Sequence, residues 1–384
     1  MSPHEEHLLG IPRVASANAW RDARRILAVR LDNLGDVLMT TPAMRALRQM
    51  RPDVHLTLLA GTAGAALAPF LSEVDEVIAA SCPWMPTADT GFEAFESLVL
   101  ALRTRRFDAA VIFTVYSQSA MPAAMLCWLA GIPLRLAYSR ENPYHLLTDW
   151  VVEREPHEIL RHEVRRQLDL VGFVGAHTDD VRLSFRVAPA DRRMAEARLR
   201  EAGVDLAQRY AVIHPGASAA SRRYPAELFA AALRRFAALA GDCAPQLVLT
   251  GEVCEIGLVE AVREKCGAAG SLAGRLSLGE LAAVLERAAI LIANNTGPVH
   301  LAAALGVPVV DLYALTNPQH APWKTPCRVL YEDVPCRYCY RSVCPQGHHA
   351  CLRLLDPERV AIAARELLDL GAEMAVPPFR ISSA

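Results

Sequence analysis

The sequence has almost no net charge, no uninterrupted apolar run long enough to cross a membrane, and neither of the two familiar glycine-rich nucleotide fingerprints. Its 40 Lys and Arg stand against 42 Asp and Glu, for a formal charge of -2. That balance argues against nucleic acid as the main partner, which calls for a basic stripe or a high pI. Two long uncharged stretches occur, residues 56–72 and 109–134. The first is broken by Gly61, Gly64 and Pro69, the second by Ser117, Gln118, Ser119 and Pro122. Both therefore read as buried strand, turn and helix rather than as spans. The first 24 residues lack the basic start and apolar core of a signal peptide, so a loosely ordered tail and a cytoplasmic protein are expected. No complete GxGxxG or GxxxxGK[ST] is present, which leaves little support for a dinucleotide enzyme or a P-loop NTPase.

What is present is an ordinary globular composition, 52% hydrophobic and 21% charged over 384 residues, a length that suggests two domains. From Arg25 onward, apolar runs alternate with longer helical stretches: RILAVRL, HLTLLAG, DEVIAA and DAAVIFTV, then, after FRVAPADRR, YAVIHPG, QLVLTGE, AAILIANNTG and VPVVDLYAL. Such alternation marks βαβ units on parallel sheets. The expected organisation is α/β: a tail over 1–24, one Rossmann-like domain over 25–185, a second over 186–355, and a C-terminal helix and tail over 356–384.

Three loops fall at predicted strand ends, where open α/β sheets place their ligands. They are LDNLGD (31–36), HPGASAASRRYP (214–225) and ANNTGPVH (293–300). The first poses a problem for a phosphate site. Helix N-termini attract anions, and Asp36 puts a carboxylate there instead. Asp36 is either a cap or a group that moves a proton. In the second loop, Arg222 and Arg223 precede a helix start near Pro225, a setting suited to a diphosphate, with two solvated arginines as the plainer alternative. In the third, Thr296 and Gly297 open a helix. Capping by Asn295 or Thr296 competes with anion binding there, and His300 is either a phosphate donor or a packed core histidine.

These blocks, in this order, resemble glycosyltransferase family 9, the ADP-heptose:lipopolysaccharide heptosyltransferases. The likeness runs from about residue 25 to 365, through RLDNLGDVLMTTPAMRAL, VIHPGASAASRRYPAELFAAAL, LTGE, SLAGRLSLGELAAVLERAAILIANNTGPVHLAAALGVPVV and a cysteine-containing tail. It implies a GT-B fold, two doubly wound Rossmann-like domains facing across a cleft, and inverting transfer without a catalytic metal. By the same resemblance Asp36 is the general base, with Asn33 and Gly35 beside it on the acceptor side. Arg222 is matched to a basic residue that meets the charge of the leaving diphosphate. His214, Gly216, Ser218, Arg223, Glu255, Asn295, Thr296, Gly297 and His300 fall on the donor side, Glu255 being matched to a ribose-binding glutamate. Two departures are visible: NNTGP replaces the common NDTGP, and YALTNP stands at 313–318 in place of an FGPTDP-like segment. The implied partners are a nucleotide-sugar donor, with ADP-heptose first, and a lipid-linked or lipopolysaccharide core acceptor. Transient contact with the cytoplasmic face of the inner membrane is also implied. Arg103, Arg105 and Arg106 are a candidate for that contact, or simply a charged helix end. A transferase of the same fold acting on an autotransporter protein, and a non-catalytic nucleotide-sugar-binding protein, are the alternatives.

Ten cysteines in a cytoplasmic protein do not suggest disulfides. Cys336, Cys339, Cys344 and Cys351 follow the spacing C-x2-C-x4-C-x6-C, with His348 and His349 between the last two. Two readings stand: a structural zinc or iron held by four thiolates, or reduced thiols packed under a loop.

Overall fold

Aliphatic runs without polar alternation belong to strands covered on both faces, and that is how β1 (Arg25–Arg30), β2 (His55–Ala60), β4 (Ala109–Ile112) and β5 (Leu134–Ser139) sit in the computed structural model, nearly every residue buried. The structure describes residues 17–85, 91–267, 270–339 and 341–374. The chain divides into two compact units between Arg186 and Val187. In the first unit, β3 (Glu76–Ala79) and β6 (Asp149–Val152) complete a parallel sheet of order β3-β2-β1-β4-β5-β6. The second unit is built from β7 (Tyr210–His214), β8 (Gln246–Leu249), β9 (Gly270–Ser271), β10 (Ile290–Asn294), β11 (Val309–Leu312) and β12 (Cys327–Leu330). Its order is β12-β11-β10-β7-β8-β9, also parallel throughout. Read outward from the first strand, each sheet has the 3-2-1-4-5-6 order of a doubly wound fold. The strand order reverses between β1 and β4 in one unit and between β7 and β10 in the other, and ligands collect at the carboxyl ends of such strands.

The two uncharged stretches resolve as expected from their breakers. Residues 56–72 become β2 and the short helix Thr62–Ala65, and 109–134 become β4, the helix Met121–Leu129 and the start of β5. Among the described residues, no helix is long and apolar enough to cross a membrane. The basic cluster sits at a helix end: Arg103 lies in the last turn of the helix Phe92–Thr104, and Arg105 pairs with Glu76 at 2.8 Å.

The expected N-terminal tail needs correction. Residues 1–16 lie outside the described residues, but Ala17–Asp22 form a helix whose Trp20 is fully buried. The burial of one large indole holds this turn against the first unit, a gain that the polar sequence around it concealed. At the other end, the helix Pro357–Met374 contributes Val360, Ala364 and Leu367 to the apolar core of the second unit, and residues 375–384 lie outside the described residues.

Candidate functional site

In the first unit the site begins at the last residue of β1. Arg30 is fully buried, and its three guanidinium nitrogens face three carboxylates: Nε lies 3.0 Å from Asp32 Oδ2, Nη2 3.2 Å from Asp36 Oδ1, and Nη1 2.9 Å from Glu163 Oε1. Burial by itself would lower the Arg30 pKa. The pull of Asp32, Glu163 and Asp36 outweighs it, so the group is held even more firmly charged than usual. Burial pushes the Asp32 carboxyl up, with Arg30 opposing and Asp36 adding to the rise. Gln118, from the loop after β4, donates to Asp32 Oδ1 at 2.6 Å. Both switch-point strands thus feed the same patch.

Asp36 occupies the third position of the helix Leu34–Met50, whose N-cap is Asn33. Its Oδ2 accepts the Asn33 backbone N–H at 3.2 Å while Oδ1 faces Arg30, and 14% of the side chain reaches the surface. The carboxylate therefore does help to cap its helix, yet it is also aimed and partly open. Asn33 is exposed and Gly35 buried. The turn is supported from below by Gly61, where an added Cβ would lie 2.6 Å from the Leu31 carbonyl oxygen. Further along the helix Pro42 has no N–H to give the Leu38 carbonyl, and the Thr41 hydroxyl supplies that bond at 2.7 Å. The TTP triplet thereby stays helical.

In the second unit, β7 ends in His214 and β10 in Asn294. His214 Nδ1 lies 3.1 Å from the Thr250 hydroxyl, and Nε2 lies 3.7 Å from Glu255 Oε2. Burial pushes the ring down to about 4 against the opposing pull of Glu255, so His214 is neutral at pH 7 and can offer a hydrogen bond but no charge. Glu255 accepts the Glu252 N–H at 2.9 Å and lies against Gly216, where a Cβ would meet its carboxylate at 2.2 Å. Only glycine leaves room for that approach. His214, Gly216 and Glu255 are thus brought together, with the glutamate carboxylate turned inward.

Arg222 and Arg223 diverge. Arg223 is exposed and donates through Nε to the carbonyl of Ala217 at 2.7 Å, bracing its own loop. Arg222 is half-buried, and among the described residues its buried Nε has no hydrogen-bond partner. Ser218 is exposed on the same loop. The loop is fastened by Asn294, which sequence reasoning passed over: Nδ2 donates to the Pro215 carbonyl at 2.6 Å, and Oδ1 accepts the Tyr224 N–H at 3.0 Å.

The helix Gly297–Ala304 starts at Thr296, whose hydroxyl makes no capping bond. The capping alternative for Thr296 is therefore not realised; Pro298 has no N–H, and the Val299 N–H donates to the Thr296 carbonyl at 3.0 Å. His300 is buried one turn in. Asn295 Nδ2 donates to Asp311 Oδ2 at 3.0 Å and to the His320 carbonyl at 2.8 Å. Burial pushes Asp311 up to about 8 despite the bond from Asn295. An ionised aspartate at 295 could donate to neither acceptor, which explains the NNTGP departure by its own surroundings.

Cys336, Cys339, Cys344 and Cys351 line one small pocket together with His348 and Ser221. Among the described residues, no three His, Cys, Asp or Glu side chains already converge as a metal-holding group. Ser221 joins this tail to the arginine loop: its N–H donates to the Ser342 carbonyl at 3.3 Å and its hydroxyl to that of Arg341 at 3.0 Å.

The profile of the family described as "Glycosyltransferase family 9 (heptosyltransferase)" matches residues 96–350. Lipooligosaccharide heptosyltransferase 2 of Campylobacter jejuni is 25% identical over 223 residues, which cover 56% of this chain and 65% of that relative. A glycosyltransferase family 9 structure from Veillonella parvula aligns with a TM-score of 0.73 at 23% identity, over 90% of this chain and 97% of that one. The ADP-heptose LPS heptosyltransferase II of E. coli aligns with a TM-score of 0.69 at 21% identity, over 91% and 99%. These likenesses, with two parallel six-stranded sheets, bear out the GT-B class read from the sequence. The chain belongs to glycosyltransferase family 9, the heptosyltransferases.

Proposed function

We propose that the chain transfers a heptose, or a closely related sugar, from an ADP-activated donor to a hydroxyl of lipopolysaccharide core or another envelope glycan, with inversion at the anomeric carbon. The observation that carries this reading is Asp36: a partly open carboxylate, held at both oxygens, at the end of a switch-point strand. Asp36 takes the acceptor proton as that oxygen forms its bond to the anomeric carbon, and the bond from that carbon to the diphosphate breaks with its electron pair. Single displacement inverts the centre. The charge that grows on the departing diphosphate is met by Arg222 and by the Gly297 N–H at the start of the helix Gly297–Ala304, with no metal at the reacting group. The name of the E. coli neighbour, an ADP-heptose enzyme, supports the choice of donor. Calorimetric titration with ADP, UDP, GDP and their sugars tests it. ADP-heptose is expected to bind at least about tenfold more tightly than the UDP and GDP sugars, a difference of about 1.4 kcal/mol. Preference for another nucleotide keeps the fold and replaces the donor.

For the cysteine tail we propose a structural zinc or iron ion held by Cys336, Cys339, Cys344 and Cys351. The four thiols already share a pocket, and the ion would draw them in to metal–sulfur distances of about 2.3 Å. Four sulfur ligands leave no open position, so the ion acts on the fold and not on substrate. Elemental analysis of protein purified without oxygen is expected to find about one ion per chain, and none after all four cysteines are changed to serine. Metal-free unmodified protein would mean packed thiols.

A further inference from the structure

We infer that Arg30, held from behind by Glu163, is the positioning residue that aims the Asp36 carboxylate at the acceptor. The inference rests on the proposal that Asp36 is the base, and it concerns two residues which that proposal leaves without a task.

A charged side chain at the end of a fully buried strand is costly unless it is paired. Arg30 is paired three times, and the pairs are not equivalent. Asp32 and Asp36 each reach the surface by a small fraction of their side chains, whereas Glu163 is fully buried. Glu163 is therefore an internal anchor, out of reach of any sugar. It opens the helix Glu163–Gly172, which packs against the helix that carries Asp36. Gln167 of the same helix donates to Glu163 Oε1 at 2.6 Å and to the Thr114 carbonyl, beyond the end of β4, at 3.1 Å. The anchor is thus fixed to the sheet on one side and to Arg30 on the other.

A guanidinium is planar, with a rigid fork of donors. Nη1 and Nε form close ion pairs with Glu163 and Asp32 that hold the buried guanidinium in place, and Nη2 donates the directional hydrogen bond to Asp36 Oδ1 at 3.2 Å. The second oxygen is fixed by the Asn33 N–H. Asp36 thereby has its plane determined by two independent groups. A lysine would supply the charge but not the planar group that donates to Asp36 while lying between Asp32 and Glu163. Among the described residues, Asp36 shares Arg30 on β1 with Asp32 on the following turn and Glu163 on the neighbouring helix. Arg166, one turn beyond Glu163, is engaged by Glu153 and Glu155 at 2.6 and 2.7 Å. Arg166 also attracts Glu163, but Arg30 pairs with all three carboxylates of this patch, so weakening its hold makes each of them easier to protonate.

The experiment uses the full chain with Arg30→Lys and Glu163→Gln, reading kcat, acceptor KM, the pH profile of kcat and ADP affinity. Arg30→Lys is expected to lower kcat about 10–100-fold with acceptor KM changed less than about threefold, because misaiming harms the proton transfer more than ground-state binding. The acid limb of the profile is expected to move up by about one pH unit. Glu163→Gln is expected to lower kcat by a smaller factor and to move the acid limb down rather than up, because it removes a negative charge that raises the carboxyls of this patch; ADP affinity is expected to stay within about twofold in both. A folded Arg30→Lys protein with unchanged kcat and acid limb overturns the inference. Should that variant not fold, Glu163→Gln decides alone, an unchanged profile again counting against it. Asp36→Asn, assayed in parallel, separates the two ideas. If it turns over normally the base assignment is at fault, whereas if it is inactive while Arg30→Lys behaves as the unmodified protein, only the positioning role is lost.

Discussion

Asp36→Asn is expected to reduce transfer by about 10²–10⁴-fold while leaving affinity for ADP-heptose within about twofold. The choice of asparagine separates the two roles that the geometry allows. Asparagine is as good as aspartate at accepting a backbone N–H near a helix start, so the bond from Asn33 survives and the helix Leu34–Met50 keeps its first turn. Arg30 retains Asp32 and Glu163 as partners. What is lost is the ability to take a proton, together with the bond from Arg30, since the asparagine amide has one acceptor oxygen. A carboxylate that served only as a cap would tolerate this change with activity nearly intact, whereas a base would not. Turnover is read under saturating donor and acceptor, donor affinity by calorimetry, and folding by the melting temperature. Equal turnover in the variant sinks the assignment.

The second large effect is expected at Arg222. Arg222→Ala should weaken ADP binding about 10–100-fold, the worth of one or two charge-assisted hydrogen bonds at about 1.5–3 kcal/mol. It should slow transfer by more than that factor, since negative charge on the diphosphate grows as the bond to the sugar breaks. Arg222→Lys is expected to recover part of the loss, by charge without the planar fork. The neighbouring Arg223 already donates to Ala217 and is expected to matter less to binding. If Arg222→Ala binds ADP and turns over as the unmodified chain does, the diphosphate is held elsewhere.

The fold was legible wherever burial on both faces forces continuous apolar runs. RILAVRL, HLTLLAG, YAVIHPG and AAILIANNTG each lead to a central strand. Strands β6, β9 and β12 were missed because they are short and lie at sheet edges, where half-buried positions dilute the pattern, and β5 was missed although buried, because its run LRLAYS is broken by Arg135 and ends in Ser139. The loops of the site were legible for a related reason: glycine and polar residues cluster where strands end and helices start. Gly216 shows the limit. Its motif could be seen, but its reason, the Glu255 carboxylate against its Cα, depends on a residue from the loop after β8.

Arg30 and Glu163 were hidden for the same cause, since ion pairs between distant segments leave no local spacing to read. A signal existed all the same: an arginine closing an otherwise aliphatic strand had to find buried acids. Asn294 and Asp311 likewise look like ordinary strand-end residues in the sequence. Their partners, Pro215 and Tyr224 for the one and Asn295 for the other, become apparent only once β7, β10 and β11 are side by side.

The most direct test of the account is the anomeric configuration of the product formed from ADP-heptose of defined configuration and a lipopolysaccharide core acceptor, read by nuclear magnetic resonance on the new glycosidic bond. The account predicts a single product with the configuration inverted relative to the donor, formed by the unmodified chain and not by Asp36→Asn. A product with retained configuration, or transfer that persists without the Asp36 carboxylate, would contradict it.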